Sequence, residues 1–173
     1  MLDASAAINL LGSGIAPEFL QLLAPLSVTI VRNTASEVLS HPLDAEDLPL
    51  NSLSAKSLIR IVEPSPATIE LAVELMTAAE PDDLGDGESF AIAMASVVNG
   101  TVVLDDQKAR RVCSARFPHV PIADSIQLFR HPLTAQIGDS RRKDALRSAL
   151  RIARMRVLEK DFPWVQEILG DEV

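Results

Sequence analysis

Cysteine is almost missing from this chain of 173 residues: Cys113 stands alone, so no intramolecular disulfide can form. Histidine is nearly as scarce, and His41, His119 and His131 are too scattered to give a zinc-ligand spacing. Long apolar runs are absent as well. No basic segment followed by an apolar run opens the chain, and no stretch of about 18 uninterrupted apolar residues occurs, which excludes a signal peptide and a membrane span and sets the expectation of a cytoplasmic protein. Internal repeats, low-complexity tracts and glycine-serine linkers are also lacking, so no domain boundary is expected before the last forty residues. What is present, 47% apolar and 23% charged residues, is enough to fold one compact soluble domain.

Basic residues are scarce in one part of the chain only. Residues 1–107 hold 3 of them against 16 acidic ones, whereas residues 108–160 hold 13 against 4. The net charge of −8 therefore hides an acidic body and a basic third quarter. An acidic body argues against unspecific coating of nucleic acid, yet it suits an enzyme whose acids are committed to metal ions.

Short apolar runs alternate with helical patterns. Met1-Leu2 reads as a strand end, Ala4 to Leu11 as a helix closed by Gly12 and Gly14, and Pro17 to Leu23 as a second helix. Leu26 to Val31 is expected as a strand, followed by a helix through Thr34, Glu37 and Leu39 that ends before Pro42. Asp44 to Asn51 reads as a polar loop, Leu58 to Val62 as a strand, and Ala67 to Ala79 as a helix capped by Ser65 with Pro66 in its first turn. A loop from Glu80 to Asp86 leads to a helix from Gly87 to Val98, a strand Thr101 to Leu104 and a helix Gln107 to Arg116. A short strand at Val120 to Ile122 and a helix from Asp124 to Phe129 complete the pattern. Such alternation predicts an α/β fold with a mostly parallel sheet covered by helices on both faces.

The acids fall at telling places in that scheme. Asp3 follows the first strand, Asp105 and Asp106 follow the Val102 strand, Glu37 lies in the helix after the second strand, and Glu88 opens the helix before Val102. In an open α/β sheet the carboxyl ends of the strands are where sites are built. Carboxylates gathered there repel one another unless a cation sits among them, which points to a hard divalent metal, Mg²⁺ or Mn²⁺. Taken singly, each residue has a plainer role open to it: Asp3 as an N-cap, Glu37 as a solvated helix residue, Glu88 with Asp86 as acids complementing a helix N-terminus, and Asp105-Asp106 as a turn plus N-cap.

The phrases Leu2-Asp3-Ala4-Ser5-Ala6, Ser36-Glu37-Val38, Leu84-Gly85-Asp86-Gly87-Glu88-Ser89-Phe90-Ala91 and Val102-Val103-Leu104-Asp105-Asp106, in this order over roughly residues 1–130, resemble the PIN domain. The likeness is to the branch with a Gly-Glu and a double aspartate, which groups with VapC-like toxins. It implies a three-layer fold with a central sheet, and a metal-dependent endoribonuclease that hydrolyses phosphodiesters with an activated water. It further implies the toxin of a toxin–antitoxin pair, with RNA as substrate and an antitoxin protein as partner. Asp3, Glu37, Glu88 and an aspartate after the fourth strand carry over as the metal cluster. Asp106 is favoured over Asp105 there by gap-free placement of the strand, with the choice open. Ser5 matches the small polar residue two places after the first aspartate, where it or Asp86 could orient a ligand or water. Arg110 and Arg111, beside the acids, are candidates for contacts to RNA phosphates.

Two features depart from the family. Only Met1 and Leu2 precede Asp3, where a central strand normally has about five residues, so the strand is stunted or the start lies upstream. The second departure is the segment 133–173, set apart from a nuclease domain at 1–132. Ser140 to Lys160 reads as one long amphipathic helix with 8 basic residues, followed by Phe162 to Leu169. Its apolar side is expected to pack on the domain or on a second copy, the latter giving a homodimer. Its arginine face could instead grip RNA or an acidic partner.

Overall fold

A computed structural model describes residues 1–41 and 50–170. The chain is α/β, and its strands are very short. β1 (Thr29–Val31) pairs in parallel with β2 (Arg60–Val62), and β3 (Val102–Val103) pairs in parallel with β4 (Ile122–Ala123). Met1 and Leu2 run between these two small sheets and bond to both. The Leu2 N–H donates to the Thr29 carbonyl (2.9 Å), the Val103 N–H to the Met1 carbonyl (2.8 Å) and the Asp3 N–H to the Val103 carbonyl (3.3 Å). Leu2 and Val103 form an isolated parallel bridge. Parallel pairing requires crossover connections, supplied here by helices, and it places the carboxyl ends of all these segments along one edge.

The helices are α1 (Ala4–Gly12), α2 (Ala16–Leu22), α3 (Arg32–Leu39), α4 (Leu50–Ala55), α5 (Pro66–Met76), α6 (Asp86–Val97), α7 (Gln107–Arg116), α8 (Ser125–Phe129), α9 (Asp139–Ile152) and α10 (Phe162–Leu169). Side-chain caps explain several starts. Asp3, Ser65, Asp106 and Asp124 each accept the backbone N–H three residues on, as the short oxygen-bearing side chains predict.

Three expectations need correction. The strand expected from Leu26 begins only at Thr29, because Ala24–Leu26 forms a 3₁₀ turn around Pro25 and Ser27 takes a left-handed φ of 52°. The polar loop expected over 44–51 lies partly outside the described residues. Its last two, Leu50 and Asn51, open α4, which buries Leu50 and Leu53, one turn apart. The long helix expected to reach Lys160 stops at Ile152. There the chain meets α1: a Cβ on Gly12 would lie 2.6 Å from the Ala153 Cβ, and the Ser148 hydroxyl donates to the Gly12 carbonyl (2.8 Å). Arg154 then adopts a left-handed φ of 54°, a helix-ending conformation usually left to glycine.

The core shows why the C-terminal segment stays down. Leu146, Ala149, Met155, Val165 and Leu169 belong to the same buried cluster as Leu10 of α1 and Phe19 of α2. Phe19 also packs on Phe129 with ring centroids 5.0 Å apart. Each large side chain buried in this way contributes about 1.5–3 kcal/mol. A second cluster joins α6, β3 and α7 through Ile92, Val102 and Val112. The two clusters flank the short strands and hold the carboxyl-end edge in place.

Candidate functional site

Asp3 sits where Leu2 leaves the strand position, in an extended N-cap conformation, and only 1% of it is exposed. One carboxylate oxygen accepts the Ala6 N–H at 2.7 Å. Burial pushes its pKa well above the usual carboxylate value, and repulsion from Asp105, Glu88 and Glu37 adds to this, against the stabilising Ala6 bond. Three of the other acids that the sequence singles out, Asp105 rather than the favoured Asp106 among them, thus act on Asp3 electrostatically in the fold.

Glu37 reaches this group from α3. The Thr34 hydroxyl, one turn earlier, donates to the Gly87 carbonyl (3.1 Å) and fixes α3 to the first turn of α6. Gly87 is needed at that contact, since a Cβ there would lie 2.5 Å from Glu37 Oε2. Glu88, next along α6, accepts the Gly85 N–H at 3.3 Å, and burial with repulsion from Asp106 raises its pKa.

The two aspartates after β3 divide their work. Asp105 is 8% exposed, and its oxygens accept the Ser125 N–H (2.8 Å), the Ser125 hydroxyl (2.5 Å) and the Asn9 amide (2.8 Å). Burial still raises its pKa against those bonds. Asp106 caps α7 through Oδ1 to the Ala109 N–H (2.9 Å), and no hydrogen bond involves its other oxygen among the described residues.

These side chains border two adjoining cavities. One, of about 160 Å³, is lined by Asp3, Ser5, Glu37, Asp86, Gly87 and Glu88. The other, of about 330 Å³, is lined by Ser5, Asn9, Glu88, Asp105 and Asp106 on one side. Ser5 and Glu88 belong to both. Among the described residues no cation forms an ion pair with any of the five acids, and Lys108, whose charge is felt by Glu88, is bonded to Asp83 at 2.8 Å. Nor do three acidic, histidine or cysteine side chains among the described residues come together as a ready-made metal ligand set. A larger apolar cavity of about 810 Å³ opens at the opposite ends of the strands, beside Met1, Thr29 and Thr101; its one carboxylate, Glu63, pairs with Arg32.

The arginines proposed from the sequence are engaged elsewhere. Arg110 donates to the carbonyls of Leu104 (2.9 Å) and Ala123 (2.8 Å), tying the ends of β3 and β4 together beside Asp124. Arg111 pairs with Asp82 at 2.7 Å and also bonds the Pro81 carbonyl. Sequence reasoning missed Asn9 and Ser125, the uncharged donors that position Asp105. Asn9 carried a signal, a polar residue within the apolar run Ala6-Ala7-Ile8-Asn9-Leu10-Leu11. Arg154 and Arg156, which also line the 330 Å³ cavity, belong to the segment whose arginine face was expected to grip RNA or an acidic partner; their place beside the acids was not legible, because the early end of α9 sets it. No family model, curated protein or solved structure matches this chain.

Proposed function

We propose that this chain is a metal-dependent endoribonuclease of the PIN type, acting in the cytoplasm as the toxin of a toxin–antitoxin pair. The observation that carries the reading is the group of acids from four separate segments around two adjoining cavities, with buried Asp3 and Asp105 lacking any cationic partner among the described residues. The toxin role rests on the sequence resemblance alone. On this reading the order β2, β1, Met1-Leu2, β3, β4 corresponds to the central sheet of a three-layer fold.

The donor set suits a hard divalent cation, Mg²⁺ or Mn²⁺, since it is all carboxylate oxygen and none of these acids is ion-paired among the described residues. Asp3, Glu37, Glu88 and the Asp105-Asp106 pair would hold it, Asp106 having an oxygen to spare. Such an ion polarises a phosphodiester and lowers the pKa of a bound water for in-line attack. The chain's own residues do the positioning. Asn9 and Ser125 orient Asp105, Gly87 makes room for the Glu37 carboxylate, and Ser5, exposed at the junction of the cavities, is placed to orient water or substrate.

Cleavage of a structured RNA pool in Mg²⁺ or Mn²⁺, with EDTA and Asp3→Asn as controls, tests the proposal. Asparagine keeps the N-cap, so the fold is retained while one charged oxygen is lost. The expected result is EDTA-sensitive cleavage that falls about 100-fold or more in the variant, the scale of several kcal/mol of lost charge stabilisation. Folded protein that cuts nothing in either metal would leave a PIN-like module that binds RNA or protein without cutting.

A further inference from the structure

Part of the wall of the 330 Å³ cavity comes from the C-terminal segment. Arg154 and Arg156 line it together with Glu88, Asp105 and Asp106. Opposite charges bordering one space would be expected to collapse into ion pairs if they could reach each other. Here they do not: neither guanidinium has a hydrogen-bond or ion-pair partner among the described residues, and both residues are exposed.

Four other cations of the same segment are paired, while Lys143 and Arg151, which do not line the cavity, are without a partner among the described residues as well. Arg141 pairs with Glu18, Arg142 with Asp139, Arg147 with Asp144, and Lys160 with Asp124 and Asp161. The backbone at Arg154 and Arg156 is moreover held in place. Met155, between them, is 5% exposed and anchored in the main core cluster, its N–H bonded to the Ala149 carbonyl. Ala153 is pressed against Gly12, and Arg154 has a left-handed φ of 54°, a conformation that L-residues rarely adopt. Two exposed arginines thus alternate about a buried anchor at the cavity, on backbone that is held in place.

We infer that Arg154 and Arg156 are substrate-binding residues that hold backbone phosphates of single-stranded RNA at the cavity they share with the carboxylates. The ligand identity rests on the nuclease reading above; the grip itself rests on the cavity. Planar guanidinium groups take phosphate oxygens two at a time. A single strand can lay its backbone into such a cleft, whereas a duplex presents a wide, rigid surface to it.

Binding of a fluorescein-labelled short mixed-sequence single-stranded RNA, followed by anisotropy in Ca²⁺ over a series of salt concentrations, tests this. The variant is Arg154→Gly with Arg156→Gln. Glycine relieves the left-handed backbone, so the fold is expected to survive, and a thermal melt checks it. Affinity should fall about tenfold or more, and the slope of log affinity against log salt should lessen by about 1.4, the single-strand value for two phosphate contacts. Arg154→Lys with Arg156→Lys should restore part of the affinity, and Arg151→Ala, an exposed arginine off the cavity, should change little. An unchanged affinity and slope in the first variant would overturn the inference, as would an equal loss in Arg151→Ala or no RNA binding by the wild-type chain. Cleavage in Mg²⁺ is read separately. Wild-type protein that binds through these arginines but never cuts would refute the nuclease and leave the grip standing.

Discussion

Two groups of buried aspartates stand side by side in this molecule and are neutralised in opposite ways. Asp124 and Asp161, 1% and 2% exposed, share Lys160 at 2.5 and 3.2 Å, with Arg110 near the first and Arg130 near the second. Asp3 and Asp105, buried to a similar degree, are met only by uncharged donors: the Ala6 N–H, the Asn9 amide and Ser125. Ser125 and Asp124 are neighbours in sequence, so the contrast arises within a few ångströms of backbone. A buried carboxylate without a cation costs stability. The first group is therefore understood as structural, a brace between the domain and the C-terminal segment, and the second as a place where stability is given up for binding.

The contrast breaks most visibly when a divalent cation is added. Asp3, Glu88 and Asp105 have folded-state pKa values raised by burial above the ordinary value. A raised acid contributes stability that is complete below its unfolded pKa, near 3.8 for aspartate, and that is lost as pH rises through the folded value. Metal-free protein should thus lose stability as pH rises above the ordinary carboxylate pKa, and Mg²⁺ or Mn²⁺ should restore it increasingly over the same rise. At about 100 times the dissociation constant the gain is about 2.7 kcal/mol, visible as a higher melting temperature. In Asp3→Asn the metal-free protein should melt higher at neutral pH than wild type and gain less from the cation. A melting temperature indifferent to both cations across this pH range would remove the contrast.

The braced group gives the next largest effect. Lys160→Met keeps the apolar stem and removes the charge shared by Asp124 and Asp161. Lys160 is about half exposed, and Arg110 and Arg130 remain, so the expected loss is about 1–2 kcal/mol. Thermal unfolding should shift down by about 2–4 °C for each kcal/mol. Cation stabilisation measured in the same variant should be unchanged, since the two groups serve different ends. A variant that lost its response to Mg²⁺ would show them to be one network.

Much of this arrangement was legible in the residues. The acids at Asp3, Glu37, Glu88 and Asp105-Asp106 stood out because strand ends and helix starts are local features, marked by caps and short apolar runs. The helix Gln107–Arg116 appears with the boundaries expected. What escaped is tertiary. Nothing local distinguishes Arg110, which clamps two carbonyls, from Arg156, which borders the acidic cavity. The apolar period of Ser140 to Lys160 continues past Ile152, yet packing of Ala153 on Gly12 ends the helix there, a contact between residues far apart in sequence. The shortness of the strands was hidden too, because β-branched residues such as Val28 and Val120 favour extension without requiring a partner strand.

The smallest change is the sharpest test of the unbraced group. Gly87 lies in the first turn of α6, where alanine would ordinarily stabilise a helix by about 0.5–1 kcal/mol. Its Cβ would meet Glu37 Oε2 at 2.5 Å and the Ala4 Cβ at 3.4 Å. The second is an ordinary packing distance and the first is the free end of a flexible side chain, so the backbone has no reason to move and Glu37 must swing away. Gly87→Ala should therefore leave the melting temperature of the metal-free protein level or slightly raised. RNA cleavage and stabilisation by Mg²⁺ should both drop, cleavage by about tenfold if one ligand's placement is worth about 1.4 kcal/mol. Were cleavage and the Mg²⁺ response to stay at wild-type levels, Glu37 would be a solvated helix residue after all, and the acidic group would shrink to Asp3, Glu88 and the pair after β3.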